Sequence, residues 1–437
     1  MTSKIRKTFA FVLALAAAAA TSCEIVPSIP GVEMEFVLMS DGEIYAEDGI
    51  TVTLSTQNNS VSYVAETEQG VVRFTLVPGL YTAVASFKTS THVYNLNTSV
   101  VVDVSSAGRI ELNLTKVRSE PLIIKELYIG GCQTDDASKP YYYDKYVILY
   151  NNSAEEYDAS DVAFAFATPM NSEATNRWIS GGRLKYDGEG WIPAGYNIWW
   201  FDTEVKVQPY SQIVVAINGA INHTLTYSNS VDLSDAGYYV MYHPAAFGEK
   251  YNTYHYPNPS ADIPQSHYLK TFLFGQGNAW PVSQTSPAFY ILRYDGIEAY
   301  SKDELNYDRT ETLPVVKVDR DWVVDGVEVF AAGKEGSNNK RLTSDIDAGS
   351  IYFTNQYGYT VYRNVDREAT EALPENEGKI VYGYTGGTES TDQSYGNTDP
   401  SGIDAEASLA KGAHIIYMDT NNSSKDFHQR RVASLKK

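Results

Sequence analysis

The chain has 437 residues, of which 43% are hydrophobic and 20% are charged, a composition typical of a folded protein with two or three domains. It excludes a chain that is disordered throughout. Asp and Glu outnumber Lys and Arg by 54 to 34, so the formal net charge is −20. A surface this acidic repels phosphate groups, which argues against nucleic acid as a partner and against membrane attachment through basic patches.

The first 22 residues have the pattern of a signal peptide. Three of the first seven residues are basic, and an apolar run follows over residues 9–20, too short to span a bilayer but long enough for a signal peptide. Ala20-Thr21-Ser22-Cys23 resembles a bacterial lipobox, although the lipobox usually has Leu where Ala20 stands. The resemblance implies cleavage before Cys23, lipidation of its sulfur and a tether over residues 23–32. We expect an outer membrane lipoprotein on the cell-surface or periplasmic face, with an ordinary secretory cleavage site as the alternative.

Cys132 is the other cysteine of the chain. With Cys23 acylated, Cys132 has no partner for a disulfide within the chain, and two cysteines are too few for a cysteine-based zinc site. We therefore expect Cys132 to be a small buried residue.

Residues 33–117 alternate apolar and polar side chains in short runs separated by turn residues. This pattern predicts a small antiparallel sandwich. The stretch from Gly70 to Tyr81 resembles the strand–turn–strand of transthyretin-like or carboxypeptidase-regulatory-like modules. The resemblance implies that Phe74 and Leu76 face the core and that Pro78-Gly79 makes the turn.

Residues 121–437 form the second predicted unit. Ile124-x-Glu126-x-Tyr128 and the segment 144–152 resemble the opening strands of the lamin-tail-type immunoglobulin-like sandwich, and segments 192–195, 207–216, 324–328 and 358–363 resemble its later turn and strands. Residues from about 217 to 314 have no counterpart there and are expected to be an insertion. From about 383 we expect a long loop, a short helix at 403–410 and a strand at 413–418.

The predicted fold is therefore all-β: a small antiparallel sandwich followed by a larger, expanded immunoglobulin/lamin-tail-like β-sandwich with long loop insertions. As a whole, the lipobox and the two sandwiches resemble an uncharacterised family of Bacteroidetes envelope lipoproteins, often found near TonB-dependent transport. Because the motifs of that family are strand and turn residues, no functional residue can be transferred from it.

Several catalytic motifs are missing from the sequence. It has no His-Glu-x-x-His, no Gly-x-Ser-x-Gly, no phosphate-binding Gly-x4-Gly-Lys-Ser/Thr and no Gly-x-Gly-x-x-Gly, which argues against several large enzyme classes. A hydrolase with a carboxylate pair remains an alternative, because such a pair has no fixed spacing.

Tyrosine is unusually abundant, with 34 Tyr against 15 Phe and 6 Trp. A buried hydroxyl needs a hydrogen-bond partner, so the excess predicts rings at a half-exposed surface, suited to sugars, aromatic ligands or another protein. The alternative is that the tyrosines lie on the outer faces of the sheets without binding a ligand. For Trp199-Trp200-Phe201 we expect core packing with one exposed ring, because adjacent strand residues point to opposite faces.

The densest cluster of tyrosine and histidine lies between residues 238 and 268. His243, His255 and His267 are spaced by twelve residues, so an antiparallel meander would bring the three imidazoles to one side of a sheet. Imidazole and phenolate bind iron, zinc or copper and suit haem. Histidines in metal-free loops are the alternative, and no other cofactor is indicated. The candidate ligand or metal residues are His243, His255, His267, Tyr242, Tyr254 and Tyr256.

These features together predict a non-enzymatic, lipid-anchored binding protein of the outer membrane. We expect it to assist nutrient or metal-complex uptake through a TonB-dependent transporter. A glycan-binding or adhesion lipoprotein is one alternative, and an unrecognised carboxylate-pair hydrolase is another. The sequence leaves the ligand, the membrane face and the oligomeric state open.

Overall fold

The computed structural model describes residues 31–437 except 57–60, 90–91, 104–107, 119, 252, 254–255, 276, 278–281, 311–312, 335 and 389–397. The predicted signal peptide and Cys23 lie outside the described residues. The chain divides into two compact units. The first unit takes in the chain up to Met39, Glu43–Val84 and Asn97–Leu112. The second takes in Ser40–Gly42, Ala85–Leu96 and Asn113–Lys437.

The amino-terminal strands form two sheets. Their bounds are β1 Val32–Ser40, β2 Glu43–Ile44, β3 Thr51–Thr56, β4 Ser62–Glu66, β5 Val71–Leu76, β6 Gly79–Lys88, β7 His92–Val102, β8 Arg109–Asn113 and β9 Thr115–Arg118. One sheet has the order β2-β1-β5 with β8 also paired to β1, and the other has the order β4-β3-β6-β7-β9. In β5, Phe74 and Leu76 are buried while Arg73 and Thr75 are exposed, so the predicted core-facing residues are confirmed.

The strands that follow build the larger unit. Their bounds are β10 Leu122–Tyr128, β11 Cys132–Gln133, β12 Pro140–Tyr141, β13 Tyr146–Asn151, β14 Tyr157–Asp158, β15 Val162–Phe166, β16 Ile179–Ser180, β17 Arg183–Leu184, β18 Trp191–Gly195, β19 Asn197–Trp200, β20 Lys206–Val207, β21 Gln212–Ala216, β22 Tyr239–Val240, β23 Lys270–Leu273, β24 Ala288–Arg293, β25 Tyr307–Asp308, β26 Val315–Asp319, β27 Val323–Ala331, β28 Ile351–Phe353, β29 Thr360–Arg363 and β30 Phe427–Arg430.

Helices in the described part of the chain are short. They are α1 Pro244–Phe247, α2 Ile297–Lys302, α3 Arg367–Glu371, α4 Ala405–Ala410 and α5 Ser423–Asp426, with 3-10 turns at His223–Leu225, Gly248–Lys250, Gln265–His267, Glu304–Asn306, Arg320–Trp322 and Pro374–Asn376. None of these described helices has the length and apolar character needed to cross a membrane. The short helix expected at 403–410 is confirmed as α4. The strand expected at 413–418 is wrong, because that segment makes only an isolated bridge between Tyr417 and Val365.

Two six-stranded sheets of the larger unit pack face to face. Their orders are β22-β21-β13-β10-β29-β30 and β23-β19-β15-β24-β27-β28, and their pairings are antiparallel apart from β21 with β22 and β27 with β28. Their inner faces share one core, to which β10 and β13 contribute Ile124 and Leu149 and the other sheet contributes Phe164, Trp199 and Ile291. The expected all-β sandwich class is confirmed.

The segment from about 217 to 314 belongs to both sheets. Strand β24 lies between β15 and β27 in the middle of its sheet, with Phe289 and Ile291 in the shared core. Earlier in the segment, Met241, Phe247 and Tyr256 are buried in the same core. This part of the chain therefore contributes to the sandwich itself.

The tyrosines of the described chain lie both at half-exposed positions, as the excess predicts, and in the interior. Among the buried hydroxyls, that of Tyr290 has no hydrogen-bond partner in the described part of the chain, whereas Tyr146 donates to Glu126 at 2.7 Å and Tyr150 donates to the carbonyl of Ile415 at 2.8 Å. Such bonds remove the cost of burying a polar group. Among the described residues, eight tyrosines are fully buried: Tyr128, Tyr146, Tyr150, Tyr186, Tyr256, Tyr290, Tyr362 and Tyr417.

All three side chains of the Trp199-Trp200-Phe201 run are buried, which corrects the expectation of one exposed ring. As predicted from strand alternation, Trp199 and Trp200 point to opposite faces, because Trp199 enters the core between the two sheets and Trp200 enters a separate cluster. Both faces of the sheet are covered at this point, so both rings are buried. No platform for a sugar ring remains at these three residues.

A buried charge network joins β29 to the carboxy-terminal segment. The Arg363 guanidinium contacts Asp325, lies 3.5 Å from Asp419 and 4.0 Å from Asp426, and donates to the carbonyl of Ile124 at 2.8 Å. Three carboxyl groups thus surround one cation. Burial raises the pKa of Asp426 to about 6, with Arg363 acting in the opposite direction and Asp419 adding to the rise. Burial likewise raises the pKa of Asp325.

Candidate ligand-binding cleft

His243 and His267 both hydrogen-bond to backbone groups. Nδ1 of His243 lies 3.0 Å from the carbonyl oxygen of Thr271 and 3.1 Å from its amide nitrogen. Burial lowers the pKa of His243. Nδ1 of His267 lies 3.1 Å from the carbonyl oxygen of Tyr238, and its ring stacks on Tyr239 with centroids 4.3 Å apart. Both imidazoles therefore contact neighbouring groups of the protein and contribute to the packing of this segment.

The predicted tyrosine ligands also pack within the protein. Tyr242 donates to Asn258 Oδ1 at 2.7 Å, and its ring meets Tyr251 edge to face at 5.9 Å. Tyr256 is buried in the main core. His255 and Tyr254 lie outside the described residues, so the three-histidine hypothesis stays a prediction. Among the residues that the structure does describe, no group of three His, Cys, Asp or Glu is placed to hold a metal ion.

Cys132 is buried, as predicted. Burial, assisted by the nearby Asp144, raises the pKa of its thiol to about 12. Since the thiolate is the nucleophilic form, Cys132 has a structural role.

A cleft of about 370 Å³ opens on the larger unit. Its walls come from the loop after β15, from the turn between β18 and β19, and from the start of β26. We call it the Trp178 cleft. It is lined by Thr168, Pro169, Met170, Asn171, Ala174, Thr175, Arg177, Trp178, Tyr196, Leu313, Pro314 and Val315.

Trp178 is fixed by an aromatic cluster behind the cleft. Its ring meets Trp191 edge to face at 5.6 Å and Tyr186 at 5.9 Å. The indole Nε1–H donates to Thr168 Oγ1 at 3.3 Å. The ring is therefore held in place without a ligand, which lowers the entropic cost of binding.

Tyr196 forms the facing wall and is equally constrained. Its backbone is left-handed, with φ of 65°, and its carbonyl accepts from the amides of Phe274 at 3.0 Å and Gly275 at 2.8 Å. A side chain at Gly275 would place its Cβ 2.5 Å from the Tyr196 Cα, so glycine is required there. The ring packs edge to face on Phe166 at 5.6 Å, and burial raises the pKa of its hydroxyl.

A buried ion pair supports the loop that forms the floor. Arg341 donates to Glu328 at 2.7 Å, with both side chains fully buried. Nη1 of Arg341 also donates to the carbonyls of Pro169 at 3.0 Å and Met170 at 3.2 Å. Arg341 therefore fixes the backbone at residues 169–170, and Glu328 neutralises its positive charge.

Sequence reasoning missed the Trp178 cleft because its walls come from three segments far apart in the chain. None of these segments matches a binding motif. The available signals were local: a Trp in a polar loop at 178 and a Gly-Tyr pair at 195–196. Neither signal indicates which distant residues share a surface with it.

The described structure defines an all-β protein with a two-sheet sandwich and a lateral cleft. Residues 208–401 match the family described as "Protein of unknown function (DUF4876)". A crystal structure of a DUF4876 family protein from Bacteroides thetaiotaomicron VPI-5482 has a similar fold, with a TM-score of 0.52 and 20% identity over 92% of this chain and 95% of that chain. No curated protein matches. These similarities agree with the expected uncharacterised Bacteroidetes family.

Proposed function

We propose that this protein is a non-enzymatic binding protein that holds a small, largely apolar ligand in the Trp178 cleft. The observation that carries the proposal is the cleft itself. Met170, Trp178 and Tyr196 give it apolar and aromatic walls, and a few polar side chains lie among them. Ligand sites in proteins have this composition and a comparable size.

The cellular setting of the proposal comes from the sequence. Lipidation at Cys23 would anchor the protein in the outer membrane, where it would pass its ligand to a TonB-dependent transporter. Within the proposal, residues 33–117 form the transthyretin-like module and residues 121–437 form the lamin-tail-like domain. Two acyl chains suffice for stable anchoring, since each methylene that enters the bilayer contributes about 0.8 kcal/mol.

A variant that fills the cleft tests the proposal. Ala174 lines the cleft and is half-buried, so Ala174→Trp places an indole inside it without disturbing the main core. Ala154→Trp, at an exposed loop position outside the cleft, adds the same side chain elsewhere and is the matched control. Ligand-observed NMR with indole and naphthalene-2-methanol measures binding.

We expect saturable binding by the wild type and by Ala154→Trp, and a loss of binding in Ala174→Trp. Equal binding by all three proteins would place the ligand elsewhere. Binding by none of them would contradict the proposed function.

A further inference from the structure

Backbone carbonyls in the walls of the Trp178 cleft already accept hydrogen bonds within the protein. Those of Pro169 and Met170 accept from Nη1 of Arg341 at 3.0 and 3.2 Å. The Trp178 carbonyl accepts from the amide of Lys185 at 2.7 Å. The groups that remain for a ligand are therefore mainly on side chains, and their free valences can be worked out one by one.

The amide of Asn171 is oriented by Ser283. The Ser283 hydroxyl oxygen accepts from the amide of Thr285 at 3.2 Å and from the amide of Ser286 at 2.9 Å. Its own hydrogen therefore goes to Asn171 Oδ1, which lies 2.6 Å away. With Oδ1 accepting that hydrogen, the donor group Nδ2 is the part of the Asn171 amide that remains for a ligand.

Two hydroxyls in the lining add further donors. Thr168 Oγ1 accepts from the indole Nε1 of Trp178 at 3.3 Å, and its own hydrogen has no acceptor among the described residues. The Tyr196 hydroxyl also has no hydrogen-bond partner in the described part of the chain, and burial raises its pKa, so it keeps its proton at neutral pH. A half-buried donor gains a hydrogen bond when a ligand brings an acceptor.

The cleft offers no free charge to a ligand. None of the described residues that line it is an Asp or a Glu. Arg177 lies in the lining, but it already interacts with another part of the protein, so its charge is not available. An ion that left water for this cleft would lose hydration without gaining a counter-charge. The net charge of −20 disfavours an anion further.

We infer that the ligand of the Trp178 cleft is uncharged and carries an acceptor oxygen, of the ketone, ester or amide kind, on an apolar or aromatic frame. The frame lies between Trp178 and Tyr196. The acceptor oxygen meets Nδ2 of Asn171 and the hydroxyls of Thr168 and Tyr196. This inference rests on the proposed function, because it specifies the ligand class of the same cleft.

Four probes that share one small aromatic frame test the inference: acetophenone, α-methylstyrene, benzoate and 1-phenylethylammonium. The alkene has the shape of the ketone but carries a methylene in place of the oxygen. Titrations of the wild type followed by ligand-observed NMR at one fixed ionic strength keep charge screening constant. We expect acetophenone to bind at least about tenfold more tightly than either ion, because neither ion finds a counter-charge.

Tyr196→Phe measures the contribution of one hydroxyl. Acetophenone should bind this variant about threefold more weakly than the wild type, as expected for one lost neutral hydrogen bond. The binding of α-methylstyrene should not change, because the alkene has no oxygen to accept that bond. Tyr357→Phe, at a residue that is 63% exposed, is the matched control and should bind both probes as the wild type does.

Asn171→Asp tests the orientation of the amide. The variant keeps an oxygen that accepts from Ser283 but replaces the donor Nδ2 with a carboxylate oxygen. It should weaken acetophenone binding about tenfold and strengthen the binding of 1-phenylethylammonium. Asn97→Asp, at an exposed position outside the cleft, makes the same change of charge and should alter neither.

The outcomes separate this inference from the proposed function. If Ala174→Trp blocks both acetophenone and α-methylstyrene but Tyr196→Phe and Asn171→Asp affect the two probes equally, the cleft is a ligand site and the acceptor class is wrong. Tighter binding of benzoate or of 1-phenylethylammonium than of acetophenone by the wild type also overturns the inference. Failure of all four probes to bind would overturn both proposals.

Discussion

Replacing Asp426 with Asn should change how the stability of the larger unit depends on pH. Asp426 is 1% exposed and accepts hydrogen bonds from the amides of Thr420 and Asn422 at 2.8 and 3.1 Å. Burial raises its pKa from the ordinary 3.8 to about 6. Asn at this position retains the shape of the side chain and cannot titrate.

The sign of the effect follows from proton linkage. The folded protein binds the Asp426 proton more tightly than the unfolded chain does, so protonation stabilises the fold. This contribution is complete below pH 3.8 and is lost as the pH rises through about 6. At pH 8 the contribution of this proton to the free energy of unfolding is close to zero. At pH 5, about one unit below the pKa of the folded state, the contribution is about 1.4 kcal/mol.

The assay is urea unfolding followed by tryptophan fluorescence. All six tryptophans lie between residues 178 and 322, so the signal reports the larger unit alone. The stability of the wild type minus that of Asp426→Asn should be about 1.4 kcal/mol greater at pH 5 than at pH 8. His223 and His428, whose pKa values are lowered by burial, titrate in both proteins and cancel in this difference.

The control variant is Asp295→Asn, at an exposed position, which should show no such change between pH 5 and pH 8. A difference between wild type and Asp426→Asn that is constant from pH 5 to pH 8 would refute the reasoning. So would a difference that grows as the pH rises.

Three further predictions follow from the sequence and the structure. Cys23→Ser should abolish palmitate incorporation and membrane association while the fold is retained, and labelling of that variant in cells with an alkyne-bearing palmitate would contradict the lipid anchor. Gly131→Ala should destabilise the protein more than Gly190→Ala, since both glycines have positive φ but only Gly131 lies against the backbone of Tyr141; equal urea midpoints would contradict this. Phe247→Ala should cost about 3–5 kcal/mol because it empties a core position, whereas Leu225→Ala, at a residue that is 85% exposed, should cost little; thermal unfolding of the two variants decides.

Local patterns in the sequence predicted the features of the fold that depend on neighbouring residues. Period-two alternation identified the strands, and the resemblance of residues 70–81 to transthyretin-like modules implied the inward direction of Phe74 and Leu76. Alternation also placed Trp199 and Trp200 on opposite faces. Alternation does not show whether another part of the chain covers the second face of a strand. The expectation of one exposed ring in the Trp199-Trp200-Phe201 run was wrong for this reason.

The features that the sequence did not predict depend on contacts between distant parts of the chain. The Tyr150 hydroxyl finds its acceptor at Ile415, 265 residues further on. No local pattern reveals that pairing, so the sequence does not predict which tyrosines are buried. The Trp178 cleft escaped prediction for the same reason, since its walls meet only after the sandwich has formed.

The position of β10 in its sheet has a consequence for the order of folding. One neighbour, β13, follows within about twenty residues, but the other, β29, begins at Thr360. Until that later segment is available, one edge of β10 has unpaired backbone groups, and such an edge pairs readily with other chains. We therefore expect the larger unit to fold slowly, as high contact order dictates. A chaperone that binds exposed strands should protect it during this interval.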